Sequence, residues 1–214
     1  MANSMRYGLS LRTLGVAMMV GLGAVGTVRA DDAPAPPQAM VTKLDQSLLD
    51  VMRHAKQLGY EGRYTELAPV VQQAFDISYM TRIAVGPGWA TLSQDQQNQL
   101  SAAFGKFITS TYARRFDGYS GENFQTLGAK PVGPAVLVQT QLVKSDGEPI
   151  ALNYMTHENE GRWQIVDVFL TGTISELAQR RSEFSAVFQQ AGFDGLLSSL
   201  LKKITQAQSE AHLS

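Results

Sequence analysis

The side chains able to do chemistry are few and scattered. Asp167 stands out among the acids, because it lies inside the apolar run Trp163-Gln164-Ile165-Val166-Asp167-Val168-Phe169-Leu170. Burial raises a carboxyl pKa, and a carboxyl in such a setting can act as a general base. The same carboxylate can instead accept backbone amides or pair with an Arg and hold a helix end in place. This structural reading is the favoured one, since structural pairs also place acids inside. Arg180-Arg181 could meet Asp167, bind a phosphate, or form a solvated face. His54, His157 and His212 are far apart and form no zinc-binding spacing. His157 falls at a strand end and reads as a surface residue. Without cysteine there is no thiolate nucleophile, disulfide or Cys-metal site. There is no G-x-S-x-G elbow, P-loop or dinucleotide fingerprint. Gly86-Pro87-Gly88 reads as a turn, because Pro removes an amide that a phosphate would need.

Asp167 is positioned by the stretch from Gly161 to Thr173, which reads as a β-strand with two apolar faces. Alternation puts Trp163, Ile165 and Phe169 on one side and Val166, Val168 and Leu170 on the other. Such a strand needs two covers. Upstream, Phe124–Lys130, Val136–Lys144 and Glu148–His157 read as further strands, with Ser145-Asp146-Gly147 as a hairpin turn. Short turns imply an antiparallel meander. Around it lie helical patterns. Ala39–Leu58 carries a stripe of Met40, Leu44, Leu48, Val51, Ala55 and Leu58 and ends at Gly59. Tyr64–Phe75 follows, with Pro69 arguing for a break or a late start. Phe75–Val85 is a short helix. Ser93 to Gln96 is a capping box opening a helix to about Phe116. Thr173–Gln190 and Phe193–Ile204 are the last two helices, followed by a polar, frayed end.

This order predicts an α+β domain over 39–206, with helices wrapped around one highly twisted antiparallel sheet of about four strands. Residues 207–214 are a polar tail. Apolar residues are plentiful enough to line a ligand cavity, but a filled two-layer core would account for them equally well.

Residues 1–30 read as a cleavable signal peptide. Arg6 and Arg12 give a positive start, Leu14 to Val28 is uncharged, and Val28-Arg29-Ala30 fits a small-x-small cleavage site. The run is short for a membrane span. Residues 31–38 form a Pro-rich leader. The whole chain has 18 Lys+Arg and 19 Asp+Glu; the first 30 residues hold three Arg and no acid, so the chain from Asp31 has 15 basic and 19 acidic side chains, a net charge of −4. That balance argues against a nucleic-acid partner. An exported chain without disulfides suits a bacterial periplasm.

The chain resembles the MlaC, or toluene-tolerance, family. The matching residues are, in order, Phe75-Asp76-Ile77-x-Tyr79-Met80, Gly86-x-Gly88-Trp89-Ala90, Thr91-x-Ser93-x-Asp95-Gln96, Phe104, Thr111-Tyr112-Ala113, Gly161-x-Trp163-x-Ile165-Val166-Asp167-Val168, Arg181-Ser182-x-Phe184 and Gly192-Phe193-Asp194-Gly195-Leu196-Leu197. The segment from Asp167 to Phe184 is most similar to the hopanoid-biosynthesis-associated branch. Arg180-Arg181 departs from the Tyr-Arg pair of many members.

The resemblance implies a fold like nuclear-transport-factor-2 domains and a periplasmic carrier that binds a phospholipid or hopanoid-type lipid. It implies shuttling between ABC-type inner-membrane and outer-membrane complexes, with no cofactor, metal or catalytic residue. The expected lipid pocket comprises Ile83, Phe104, Phe107, Ile108, Tyr112, Val138, Leu152, Tyr154, Val166, Val168, Leu170, Ile174 and Leu177. Arg181 is the head-group candidate, and Asp167 becomes an anchor between strand and helix. The alternative is an isomerase or dehydratase-like enzyme on the same fold using Asp167.

Overall fold

The apolar stripe of the first helix sets the packing of the N-terminal half. The computed structural model describes residues 37–211, which belong to one compact unit; the expected signal peptide, residues 31–36 of the leader and His212 lie outside the described residues. Helix α1 spans Pro37–Arg53 and buries Val41, Leu44, Leu48, Val51 and Met52. It starts two residues before the expected boundary, with Pro37 in its first turn, where the missing amide costs nothing.

The expected single helix to Leu58 is interrupted at His54, whose backbone leaves helical geometry. Helix α2 covers Ala55–Ala74 and kinks at Gly59 (φ 58°, ψ −173°), a left-handed-side conformation open to glycine. Arg63, itself buried, donates from Nη1 to the Ala55 carbonyl (3.1 Å) and from Nε to the Ala113 carbonyl (2.8 Å), tying both sides of the kink to α4. Pro69 does not break this helix. The lost bond is outweighed by burial of Leu67, Val71 and Ala74 on the inner side.

Helix α3 (Ile77–Val85) is capped by Asp76, whose Oδ1 accepts from the Tyr79 amide at 2.9 Å. Gly86–Thr91 forms a 3₁₀ turn rather than a simple bend. Helix α4 (Gln94–Arg115) opens on the expected capping box: Ser93 Oγ accepts from the Gln96 amide, and Gln96 Oε1 accepts from the Ser93 amide.

Five strands follow: β1 Asn123–Val132, β2 Ala135–Val143, β3 Pro149–Asn159, β4 Arg162–Leu170 and β5 Ile174–Ser175. They pair in chain order as an antiparallel sheet. The fifth strand lies where sequence periodicity predicts the first turn of a helix. Helix α5 therefore begins at Glu176 and runs to Ala211, kinked at Gly192 (φ 63°) where two helices are expected. The end expected to fray is helical through Ala211, with Ala207 buried.

Strict alternation fails in β4. Met155 pairs with Asp167 but Thr156 pairs with Ile165, so Val166 is an extra, bulged residue. Ile165 therefore shares the face of Val168 and Leu170, contrary to the expected division of faces. Ile165 is fully buried in the helix-facing core, while Val166 is buried outside it. The helices α1, α2, α3 and α5 all contact the sheet.

Helices α4 and α5 meet through an aromatic cluster. Phe184 meets Phe104 and Phe107 edge-on, both at 5.9 Å between centroids. Phe184→Ala should therefore cost roughly 3–5 kcal/mol, read as a lower denaturation midpoint at an unchanged slope. A loss below about 1 kcal/mol would show that the two helices are not held together by this cluster.

Candidate functional site

Between α4, the first turns of α5 and the inner face of the sheet the apolar side chains do not meet. They enclose a cavity of about 240 Å³. Helix α4 contributes Phe104, Phe107, Ile108, Thr111, Tyr112, Arg115 and Phe116 at helical spacing. Phe75 and Met80 close one side. The sheet contributes Leu142, Ile150, Leu152, Tyr154, Val168 and Leu170, which pairing puts on one face. Glu176, Leu177 and Arg180 come from α5. A larger cleft of about 620 Å³ lies against Met40, Leu44, Val70 and Trp163, between α1, α2 and the Gly161 turn with the start of β4.

Nine of the expected pocket residues line the cavity: Phe104, Phe107, Ile108, Tyr112, Leu152, Tyr154, Val168, Leu170 and Leu177. Four do not. Ile83 packs on the edge of the core from α3. Val138 is fully buried core, and its strand reaches the cavity through Leu142 instead. Val166 is displaced by the bulge. Ile174 sits in the unexpected strand β5 and is 46% exposed.

Arg181 is exposed, whereas Arg180 lines the cavity. One residue along a helix is a turn of about 100°, enough to exchange the two. Arg180 lies over the Phe107 ring at 5.1 Å and pairs with Glu176 (3.3 Å) and Glu183 (3.1 Å). Arg115, from α4, reaches Glu176 at 3.5 Å. A second groove of about 220 Å³ shares Phe107, Thr111, Arg115 and Arg180 with the cavity and adds Arg114, Lys203 and Glu210. The apolar cavity thus ends at a partly exposed cluster of cations, each matched by a carboxylate. Pairing of Asp167 with Arg180 or Arg181, one of the three alternatives open from the sequence, is not formed: the partners of Asp167 are Val168, Ser175 and Leu177.

Asp167 lies outside the cavity lining. Its Oδ1 accepts from the Val168 amide (2.7 Å) and the Leu177 amide (3.0 Å), and its Oδ2 from Ser175 Oγ (2.6 Å). Burial pushes its pKa up, while these three donors oppose the shift. With its oxygens so engaged it ties β4 to the start of α5. His157 is half-buried rather than on the surface. Its Nε2 lies 2.9 Å from Asp76 Oδ2, which also accepts from Asn159 Nδ2 (3.1 Å). Among the described residues no group of three or more His, Asp or Glu is placed to hold a metal ion.

Sequence reading passed over one acid. Asp45 is buried on α1, and Tyr154 Oη donates to its Oδ1 at 3.2 Å. Its position one helical step from Val41 and Leu48 was the available signal. Desolvation pushes its pKa from 3.8 to about 7, with the Tyr154 hydrogen bond opposing. Burial also raises Tyr154 and Tyr112, so both stay protonated across the neutral range.

A family model described as "MlaC protein" matches residues 42–202. No curated protein matches the chain. Among solved structures, a phospholipid-binding protein from Ralstonia solanacearum, solved in complex with a phospholipid, superposes with a TM-score of 0.69. It shares 22% sequence identity, and the alignment covers 81% of this chain and 99% of that one. At that identity the likeness bears on the fold, which is the α+β architecture described above.

The Asp45 geometry predicts a pH dependence. Its folded pKa lies above its unfolded value, so its stabilising contribution is complete below about 4 and is lost as pH rises towards 7. Asp45→Asn should therefore gain stability relative to the parent between pH 4 and pH 8, by up to roughly 4 kcal/mol. Chemical denaturation of both chains across that range checks it. A difference independent of pH would contradict the burial argument.

Proposed function

The chain belongs to the MlaC family, and on that premise we propose that it is a periplasmic lipid carrier. It holds acyl chains of a phospholipid in the cavity between α4, α5 and the sheet, and leaves the head group at the cluster of Arg115 and Arg180. The observation that carries this reading is the cavity itself: an apolar, walled space whose solvent end is the place where two guanidinium groups converge. The family's periplasmic setting agrees with the signal-like sequence of residues 1–30. A hopanoid-type lipid, also apolar over most of its surface, is the second ligand considered; the paired Arg side chains favour a phosphate-bearing one.

Transfer energetics fit a carrier without chemistry. Each methylene leaving water contributes about 0.8 kcal/mol, so a sixteen-carbon chain contributes on the order of 12 kcal/mol. A free lipid does not cross an aqueous compartment against that barrier. At about 240 Å³ the cavity is smaller than the roughly 300–1,000 Å³ of typical ligand sites, so loading requires the walls to move apart. Two bound chains give more energy than release on a useful timescale allows, so unloading falls to a partner, here a membrane transport complex that opens the site.

Uptake of a labelled phospholipid from vesicles tests the assignment. Leu152→Arg or Val168→Arg should reduce uptake at least tenfold, by placing an unpaired charge among the chains. Gln190→Arg, at an exposed position on α5, should leave it unchanged. Circular dichroism identifies variants that fail to fold. A folded Val168→Arg chain that takes up lipid like the parent would remove this cavity as the site.

A further inference from the structure

The cations at the cavity mouth are already occupied, and by one residue in particular. Glu176 receives Arg115 from α4 at 3.5 Å and Arg180 from α5 at 3.3 Å, through different carboxylate oxygens. All three line the apolar cavity, and the Glu176 side chain is only 19% exposed. The remaining cations nearby have other partners: Lys203 holds Glu183 and Arg114 holds Glu210. The first amides of α5 are also taken, Leu177 by Asp167 and Ala178 by Ser175. An anion arriving at this mouth thus finds two guanidinium groups, and a resident carboxylate between them.

We propose that Glu176 is an internal stand-in for the head group, and that the ligand is a lipid with a phosphodiester that displaces it from Arg115 and Arg180. This rests on the carrier reading and adds the residue that competes with the head group and so sets the preference for a charged one. A carboxylate and a phosphodiester each carry one negative charge and accept the same guanidinium donors. Without Glu176, Arg115 would stand at the mouth of an apolar cavity with no carboxylate and Arg180 would keep only Glu183 when no lipid is bound. With it, the empty state is neutralised and α4 is strapped to α5 across the mouth. A phosphodiester lipid replaces that strap with its own charge. A neutral diacylglycerol cannot, and leaves the strap closed over its entry. Glu176 therefore lowers affinity for every lipid, but its competition bears on the phosphodiester alone.

The test compares a short-chain phosphatidylglycerol with the diacylglycerol of the same chains. Each is titrated below its micelle concentration, at fixed ionic strength, onto the purified protein. The parent should prefer the phosphatidylglycerol. In Glu176→Gln the preference should rise about tenfold, the factor that corresponds to one charge-assisted hydrogen bond. In the double variant Arg115→Gln, Arg180→Gln it should fall to near unity. Because the readout is a ratio within one preparation, partial misfolding cancels. A Glu176→Gln chain whose two affinities change by the same factor, in either direction, overturns the proposal, since the residue would then be only a strap. Inorganic phosphate alone should leave the melting temperature unchanged; a shift equal to that given by phosphatidylglycerol assigns the pair to a free anion and overturns the lipid version. A parent that binds both lipids equally sinks this proposal alone. A parent that binds neither sinks the carrier reading with it.

Discussion

The placement of the candidate site depends on where the sheet ends and the last helix begins, and Asp167 fixes that point. Its carboxylate gathers the Val168 amide, the Ser175 hydroxyl and the Leu177 amide. Hydrogen bonds from three donors offset part of the desolvation of a half-buried acid. Ser175 in turn accepts from the Ala178 amide, so the first turn of α5 is capped by the same arrangement. Helical geometry then decides the rest. Glu176, Leu177 and Arg180 fall on the side of α5 that faces the cavity, and Arg181 on the side that faces solvent. A helix entering one residue later would present a different set.

A second constraint acts on the polar groups inside. Asp45 and Tyr154 satisfy each other at 3.2 Å, tying α1 to β3 beneath the cavity. Burial pushes the Asp45 carboxyl up to about 7, towards its neutral form, which limits the cost of burying it. The solvent end is arranged in the opposite way, with full charges paired in partial contact with water, where such pairs contribute little to stability. Weak pairs at the mouth are easily exchanged, and the strong apolar packing of Phe104, Phe107 and Phe184 behind them is not. Ligand entry is therefore expected at the charged end, where exchange is cheap.

Much of this was legible in the sequence. The strands, the Ser93–Gln96 capping box and the apolar face of α4 follow from period and turn chemistry, which are local properties. Eight of the nine expected residues that line the cavity follow for the same reason: i, i+3, i+4 spacing on α4 and period two on the sheet name a face without a structure. The failures are non-local. Val166 and Ile165 exchanged roles because a bulge depends on how β4 registers with β3. Ile174 fits the helical period of the residues after it, yet pairing with Leu170 makes it a strand. Pro69 stays helical because tertiary burial overrides its propensity. Arg115 and Glu176 are 61 residues apart, and nothing in the sequence marks them as partners. His157 and Asp76 are likewise brought together only by the fold.

The central claim is that the cavity holds lipid. The most direct measurement is a mass spectrum of the organic extract of the protein, purified without added lipid from the periplasm of an expressing cell. The account predicts a phosphate-bearing diacyl lipid at close to one molecule per chain. An extract holding no more lipid than a control protein purified alongside it would contradict the account.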